Sequence, residues 1–275
     1  MRILRHAWVL SAALLIPGFL AAEPVPISVH GSLATVEVRL NGKGPFRMLI
    51  DTGATACSFS AEVASAIGAT PEFRVVDLTP GGSRIAAATK SVQVALGSHI
   101  ASGVHFSWRE SLPGRETGMR TDGVLGQSFL SRFDYLLDFR AKQMLLDEDN
   151  PMQGKQSVRV AFERAEGRMI LKAANREDGA IRLVLDSGAS NLSLWHSNTP
   201  VSPNSLAQAL TYAGRKSVSL ARMSYLAIGD HVIHGVDVLI PEDAVTGAGE
   251  DGLLPASLFR SVYVSNSKSY VQLTR

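Results

Sequence analysis

Two apolar runs that each end at an aspartate form the clearest pattern along this chain. Residues 48–50 read Met-Leu-Ile before Asp51, and residues 183–185 read Leu-Val-Leu before Asp186. Short apolar runs bounded by turn residues are typical of buried strands. Both aspartates are followed by a small hydroxyl residue, a glycine and an alanine. Because glycine adopts tight turns readily, each pattern predicts a buried strand that delivers a carboxylate to a turn.

Short strands are also predicted for most of the remaining chain. Alternating positions at 35–40 and an Asn-Gly turn signal at 41–42 predict a hairpin with residues 46–50. Further strand pairs are predicted at 92–96 with 104–108, 135–139 with 144–146, 223–228 with 232–240, and 262–264 with 270–273. Helices are expected at 61–67, between Ser60 as N-cap and Gly68 as C-cap, at 127–132 and at 205–210.

A second motif also occurs twice, at a similar distance after each copy of the first motif. Residues 121–130 read Thr-Asp-Gly-Val-Leu-Gly-Gln-Ser-Phe-Leu, and residues 250–259 read Glu-Asp-Gly-Leu-Leu-Pro-Ala-Ser-Leu-Phe. The copies of the first motif are 135 positions apart and those of the second 129, so spacing is kept to within a loop's length. This internal duplication predicts two similar lobes, residues 23–149 and 156–275, joined by a polar seam. Proline replaces glycine in the second copy, so the turn there is expected to differ.

The first 22 residues have the order of a secretory signal peptide. Arg2 and Arg5 precede an apolar stretch at 8–20, which is followed by Ala21 and Ala22. The stretch is shorter than the roughly 20 residues that a spanning helix needs, which favours cleavage after Ala22 over an uncleaved anchor. We therefore predict an exported protein, periplasmic or secreted, with no stable membrane anchor after cleavage.

Charge and cysteine content narrow the range of functions. The chain has 27 Lys and Arg against 25 Asp and Glu, and without Arg2 and Arg5 the two numbers are equal. A neutral chain with no basic cluster gives no reason to expect nucleic-acid binding. The single cysteine, Cys57, cannot form an intrachain disulfide, and we interpret it as a small buried hydrophobe. The histidines show no zinc-binding spacing, so we predict no metal.

The paired Asp-Thr/Ser-Gly-Ala and Asp-Gly motifs resemble those of the aspartic proteases. The resemblance is closest to the retropepsin-like type, here doubled in one chain as in pepsin-like enzymes, and it covers nearly all of residues 25–275. It implies a mostly β fold of two similar lobes of the closed β-barrel type, with an active cleft between them. It also implies an aspartic endopeptidase that uses no cofactor and acts on a peptide or protein substrate; we expect a monomer.

By the same resemblance, Asp51 and Asp186 are the catalytic aspartates. Two neighbouring carboxylates cannot both ionise readily, so the pair holds one proton between them. One carboxyl can then act as base on a water molecule while the other polarises or protonates the peptide carbonyl. The residues that would support this pair are Thr52, Gly53, Ser187 and Gly188.

A hairpin flap that covers the substrate is expected between the two motifs of a lobe. Residues 75–85, with Pro80, Gly81 and Gly82 at the tip, have the composition of a mobile lid. An ordinary surface turn is the alternative interpretation. Residues 212–216 occupy the matching place in the second half.

Two other interpretations of the aspartates stay open. The chain could be a non-catalytic, peptide-binding pseudoprotease of the same fold, or a structural domain in which Asp51 and Asp186 only cap turns. The structural interpretation must explain why the same Asp-Thr/Ser-Gly-Ala frame follows a buried strand twice. Both aspartates are present, which favours catalysis.

Overall fold

Strands make up most of the computed structural model, which describes residues 23–79, 82–109, 119–149, 151–211, 214–242 and 249–275. The strands of the first half are β1 Val25–His30, β2 Leu33–Leu40, β3 Lys43–Ile50, β4 Cys57–Phe59, β5 Phe73–Thr79, β6 Gly82–Leu96, β7 His99–Trp108, β8 Gly123–Leu125, β9 Tyr135–Asp138 and β10 Gln143–Leu146. Those of the second half are β11 Val158–Ala165, β12 Arg168–Asn175, β13 Gly179–Asp186, β14 Leu192–Leu194, β15 Val201–Thr211, β16 Gly214–Ile228, β17 His231–Pro241, β18 Gly252–Pro255, β19 Ser261–Ser265 and β20 Tyr270–Thr274. The helices in these residues are α1 Ala61–Ile67, α2 Gln127–Leu130 and a 3-10 turn at Ala256–Leu258. The predicted mostly β fold class is confirmed.

Corresponding strands pair in the same way in the two halves of the chain. In the first half, β3 runs antiparallel to β2 and parallel to β8, where Met48 lies opposite Gly123. In the second half, β13 runs antiparallel to β12 and parallel to β18, where Leu183 lies opposite Gly252. The strands β4 and β14 run antiparallel to β8 and β18. Each aspartate therefore comes at the end of a strand that has a neighbour on both sides.

A further sheet contains strands from both halves. β9 pairs antiparallel with β10 on one side and with β19 on the other, with Tyr135 opposite Val264. β1 pairs with β10, and β11 pairs with β20. The predicted seam lies in the connection between β10 and β11, and the predicted lobe limits at residues 149 and 156 stay a prediction.

The apolar faces of both halves form a continuous core. Leu125 of the first half and Leu185 of the second are both fully buried in it. Cys57 is also fully buried there, and this burial raises the pKa of its thiol to about 11. The interpretation of Cys57 as a buried hydrophobe is confirmed.

The predicted helix at 61–67 is confirmed, and so are its caps. Ser60 Oγ accepts a hydrogen bond from the backbone of the first turn, and Gly68 ends the helix with a φ of 72°. The helix predicted at 127–132 is shorter, because α2 ends at Leu130.

The helix predicted at 205–210 is wrong. These residues belong to β15, which pairs with β16, for example Ala207 with Val218. Leu, Ala and Gln in this segment are good helix formers. The hydrogen bonds along a 15-residue partner strand outweigh that weak preference, and Leu206 is left 70 % exposed.

Within the described residues, no helix has the length and apolarity needed to cross a bilayer. The predicted signal peptide at 1–22 lies outside those residues.

Candidate active site

Each aspartate accepts two backbone hydrogen bonds from its own loop. For Asp51, Gly53 N and Ala54 N donate to Oδ1 at 3.0 and 2.9 Å. For Asp186, the amides two and three residues further along donate to Oδ1 at 2.7 and 3.1 Å. The turn after each aspartate brings these amides onto the carboxylate, so the same geometry orients both side chains.

The hydroxyl residues after the two aspartates exchange hydrogen bonds across the molecule. Thr52 N donates to Ser187 Oγ, and Ser187 N donates to Thr52 Oγ1, each at 3.0 Å. The Thr52 hydroxyl donates to Leu185 O at 2.7 Å, and the Ser187 hydroxyl donates to Ile50 O at 2.8 Å. Thr52 and Ser187 are both buried. The two loops are thus joined by four direct, buried hydrogen bonds.

The two glycines leave room for the opposite carboxyl group. A Cβ added to Gly53 would lie 2.6 Å from Cγ of Asp186, and a Cβ added to Gly188 would lie 2.6 Å from Cγ of Asp51. Any side chain at either position would displace a carboxyl group. The predicted supporting residues Thr52, Gly53, Ser187 and Gly188 therefore all lie at the two aspartates.

The two carboxyl groups are buried and hydrogen-bonded to each other. Asp51 is 3 % exposed and Asp186 is 8 % exposed. Burial, followed by the negative charge of Asp51, raises the pKa of Asp186 well above its ordinary value of 3.8. A hydrogen bond between the two side chains acts in the same direction. The arrangement therefore keeps a proton at pH values where an exposed aspartate has lost its own.

Gln127 also supports the site and was not among the predicted residues. Its side-chain Nε2 donates to Thr52 O at 2.8 Å, and its backbone N donates to Ala54 O at 2.8 Å. The residue is 3 % exposed. Its position directly after Gly126 in the second motif was the one sequence signal for this contact.

The turn that follows the second motif differs between the halves, as predicted. A Cβ at Gly126 would lie 2.5 Å from Ala56 O, so glycine is required there. In the second half Pro255 takes that place, and a 3-10 turn follows instead of an α-helix. Ala256 follows Pro255 where Gln127 follows Gly126, and it has no side-chain amide to donate to the loop.

Both halves carry a long hairpin between the two motifs. In the first, β5 and β6 pair with Val76 opposite Ile85, and these side chains are 64 % and 68 % exposed. Of the predicted tip, Gly82 begins β6, whereas Pro80 and Gly81 lie outside the described residues. In the second half, β15 and β16 form a hairpin of the same kind. A covering role for either hairpin stays a prediction.

A metal site does not emerge from the part of the chain that the structure describes. No group of three His, Cys, Asp or Glu residues there lies close enough together to hold a metal ion.

Comparison with known proteins finds a sequence family that matches part of the first half and a fold that matches nearly the whole chain. Residues 36–129 match the family model described as aspartyl protease. A solved aspartic proteinase from Irpex lacteus matches with a TM-score of 0.59, over 92 % of this chain and 97 % of that chain, at 13 % identity. At this identity the likeness shows a shared fold. No curated protein sequence matches the chain.

Proposed function

We propose that this chain, which matches the aspartyl protease family model over residues 36–129 and shares its fold with a solved aspartic proteinase, is an exported aspartic endopeptidase. Its catalytic pair is Asp51 and Asp186, which activate a water molecule against a peptide bond. The observation that carries the proposal is that two buried carboxyl groups, each from one copy of the repeated motif, each lie against the glycine of the opposite loop.

The hydrogen bonds around the pair support a division of labour between the carboxyl oxygens. Each Oδ1 already accepts two backbone hydrogen bonds, which lowers its basicity. The shared proton is therefore better held at the Oδ2 atoms. One carboxylate takes a proton from the water while the protonated partner donates to the carbonyl oxygen of the scissile bond. The proton belongs to the pair, so neither aspartate is permanently the acid.

The hydrogen-bond exchange between the loops supports the same mechanism. Two carboxyl groups repel each other when both are charged, and four buried hydrogen bonds through Thr52 and Ser187 hold their loops together against that repulsion. A site positioned in this way needs little reorganisation during the reaction. The hairpin formed by β5 and β6 would cover the bound peptide and exclude bulk water.

Replacement of either aspartate tests this proposal. Asp51→Asn and Asp186→Asn are each expected to lower kcat/KM on a mixed peptide library by at least ~100-fold, since an amide cannot act as base. Asp237→Asn is the matched control, because that exposed carboxylate on β17 pairs with Arg222. It is expected to keep the parent rate. Circular dichroism of all three variants checks that the fold is retained.

A rate–pH profile tests the shared proton. Activity is expected to be highest at acid pH and to fall as the pH rises through the raised pKa of Asp186, since the pair then loses its proton. A parent that hydrolyses peptides while either Asp→Asn variant keeps its rate would refute the catalytic assignment. A parent that binds peptides without cleaving them would indicate the pseudoprotease.

Export is the part of the proposal that rests on the sequence alone. The basic start, the short apolar stretch and Ala21-Ala22 support removal of residues 1–22. N-terminal sequencing of the protein recovered outside the cytoplasm is expected to begin at Glu23. A retained Met1 on membrane-bound protein would contradict export as a soluble enzyme.

A further inference from the structure

The surface beside Asp51 is apolar. Leu33 and Ala54 are partly buried and pack against Leu49, Met119 and Val124. Ala54 belongs to the loop whose amide donates to Asp51 Oδ1. We call these five residues the Leu33 cluster. Leu33 and Ala54 expose apolar surface near Asp51, and the other three residues are buried beneath them.

The position of Leu33 is taken by Arg168 in the second half. The register between β2 and β3, continued by two residues, sets Leu33 opposite Asp51. The register between β12 and β13, continued in the same way, sets Arg168 opposite Asp186. Both residues therefore occupy one place in the repeated frame, and a charged side chain stands where the first half has an apolar one.

Arg168 makes two ion pairs of different character. Its Nη1 lies 2.8 Å from Oε1 of Glu250, and these two side chains are 17 % and 1 % exposed. Its Nη2 lies 3.3 Å from Oε2 of Glu166, whose side chain is 61 % exposed. Arg168 thus bridges two carboxylates, of which Glu250 is buried and Glu166 is exposed. Arg164 Nη1 also donates to Gly167 O in the same turn, at 3.4 Å.

The turn that carries Glu166 rests on the loop of the opposite half. A Cβ at the neighbouring Gly167 would lie 3.7 Å from Thr55 Cγ2, and Thr55 follows Ala54 in the Asp51 loop. The exposed Glu166 carboxylate therefore belongs to a turn that neighbours the Asp51 loop.

The turn geometry gives no reason for a glutamate at this position. Glu166 has a φ of 48°, in the left-handed region where Gly, Asn and Asp are the usual residues. Gly31, with a φ of 61°, begins the corresponding turn of the first half. A residue with an unfavourable backbone conformation beside a candidate site is a reason to look for a role of its side chain.

We propose that Glu166 binds a Lys or Arg side chain of the peptide substrate, while the Leu33 cluster contacts an apolar one. The inference rests on the proposed function and narrows its substrate class to peptides with a basic residue and an apolar residue at different positions near the cleaved bond. Arg168 acts as a positioning residue, since it holds the Glu166 carboxylate and is itself held by Glu250. A carboxylate has acceptor sites for both Arg168 and a substrate cation.

The test compares peptides that differ at a single position. Lys, Gln and Glu are placed in turn at each position around the cleaved bond, and kcat/KM is measured for the parent, Glu166→Gln and Glu166→Lys. The parent is expected to favour Lys over Gln at one position by roughly two- to fivefold, the range of an exposed ion pair. Glu166→Gln is expected to lose that preference, and Glu166→Lys to favour Glu.

Two further variants separate charge recognition from loss of structure. Glu163→Gln removes an exposed carboxylate that lies on β11, just before the Glu166 turn, and pairs with Lys172 and Arg182; it is expected to keep the Lys preference. Glu166→Asn fits the left-handed turn and is expected to unfold at or above the parent temperature while losing the preference. Equal kcat/KM for Lys and Gln peptides at every position, or a Lys preference retained by Glu166→Lys, would overturn the inference.

Binding measurements keep this test independent of turnover. If the parent cleaves no peptide, the proposed function fails, and fluorescence anisotropy with the same peptides still reports on Glu166. A Kd that favours Lys peptides in the parent and not in Glu166→Gln supports the inference in that case. Equal Kd values for Lys and Gln peptides, or no binding of any peptide, overturn it.

Discussion

The turn after β8 and the turn after β18 occupy the same place in the two halves, yet the first begins with Gly126 and the second with Pro255. In the first half, α2 follows, and the Gln127 amide reaches the carbonyl of Thr52. In the second half, a 3-10 turn follows, and Ala256 has no side-chain amide to form the equivalent hydrogen bond. Both Asp loops nevertheless have the same internal hydrogen bonds. Support from the neighbouring turn is therefore an addition to the Asp loop rather than a condition for its shape.

The features that position the carboxyl pair are the same in the two halves. The hydroxyl exchange and the glycine beside the opposite carboxyl group occur on both sides. Leu33 and Arg168 occupy one place in the repeated frame and differ in charge. In our proposal, such differences between the halves select the substrate.

The largest expected effect comes from replacing the first residue of each turn with alanine. Gly126→Ala would place a Cβ 2.5 Å from Ala56 O and 2.8 Å from Ala54 O, and both are backbone atoms of the Asp51 loop. We expect a loss of about 3 kcal/mol in the free energy of unfolding, since the backbone must shift. Pro255→Ala is expected to cost about 1 kcal/mol or less, mainly through the entropy of the unfolded chain. Urea unfolding measures both, and equal losses would show that the turns are interchangeable.

Thr52 and Ser187 make equivalent hydrogen bonds to the opposite loop. Removing either hydroxyl group is therefore expected to lower the free energy of unfolding by the same amount. Thr52→Val and Ser187→Ala each leave one buried amide and one buried carbonyl without a partner. We expect each to cost about 2 kcal/mol in the free energy of unfolding. Because the two residues bond to each other's loop, the double variant should lose less than the sum of the two. A strongly unequal pair of losses would contradict an equal contribution from the halves.

The smallest expected effect concerns Asp134, which joins the halves and titrates. Burial raises its pKa, but hydrogen bonds from Ser267, Ser265 and Tyr263 outweigh this and lower the pKa below 3.8. A pKa lowered by folding contributes stability that is present above 3.8 and is lost as the pH falls through the folded-state pKa.

We expect Asp134→Asn to lose about 1 kcal/mol at neutral pH and to show a flatter stability–pH curve below about pH 4. Ser261→Ala, at the start of β19, removes a neutral hydroxyl and serves as the pH-independent comparison. Thermal unfolding at several pH values measures both. If stability changed with pH by the same slope in the parent and in Asp134→Asn, Asp134 would not be the titrating contact.

Local patterns were enough to predict much of the fold. The apolar runs before Asp51 and Asp186, the Asn-Gly hairpin and the capped helix at 61–67 all depend on neighbours within a few residues. The segment at 205–210 shows the limit of that approach. Its composition favours a helix, and only the distant partner strand β16 makes it a strand.

The site was predictable where it repeats a motif and not where it depends on tertiary contact. Gln127 lies 75 residues from Thr52, and Arg168 lies 82 residues from Glu250. No local pattern reports such pairs. The raised pKa of Asp186 likewise arises from burial and from a charge on the other half, and neither is visible in its own loop.

The sheet that joins the halves has a consequence for how this protein assembles. Each half pairs its own first strand with its own last one, β1 with β10 and β11 with β20, so either can close its sheet before the other docks. One aspartate belongs to each half, and the pair exists only once β9 meets β19. We expect this docking to be coupled to proton uptake, because burial and the negative charge of Asp51 raise the pKa of Asp186, and calorimetry in buffers of different ionisation enthalpy would register the uptake. Such coupling makes assembly less favourable as the pH rises through that raised pKa.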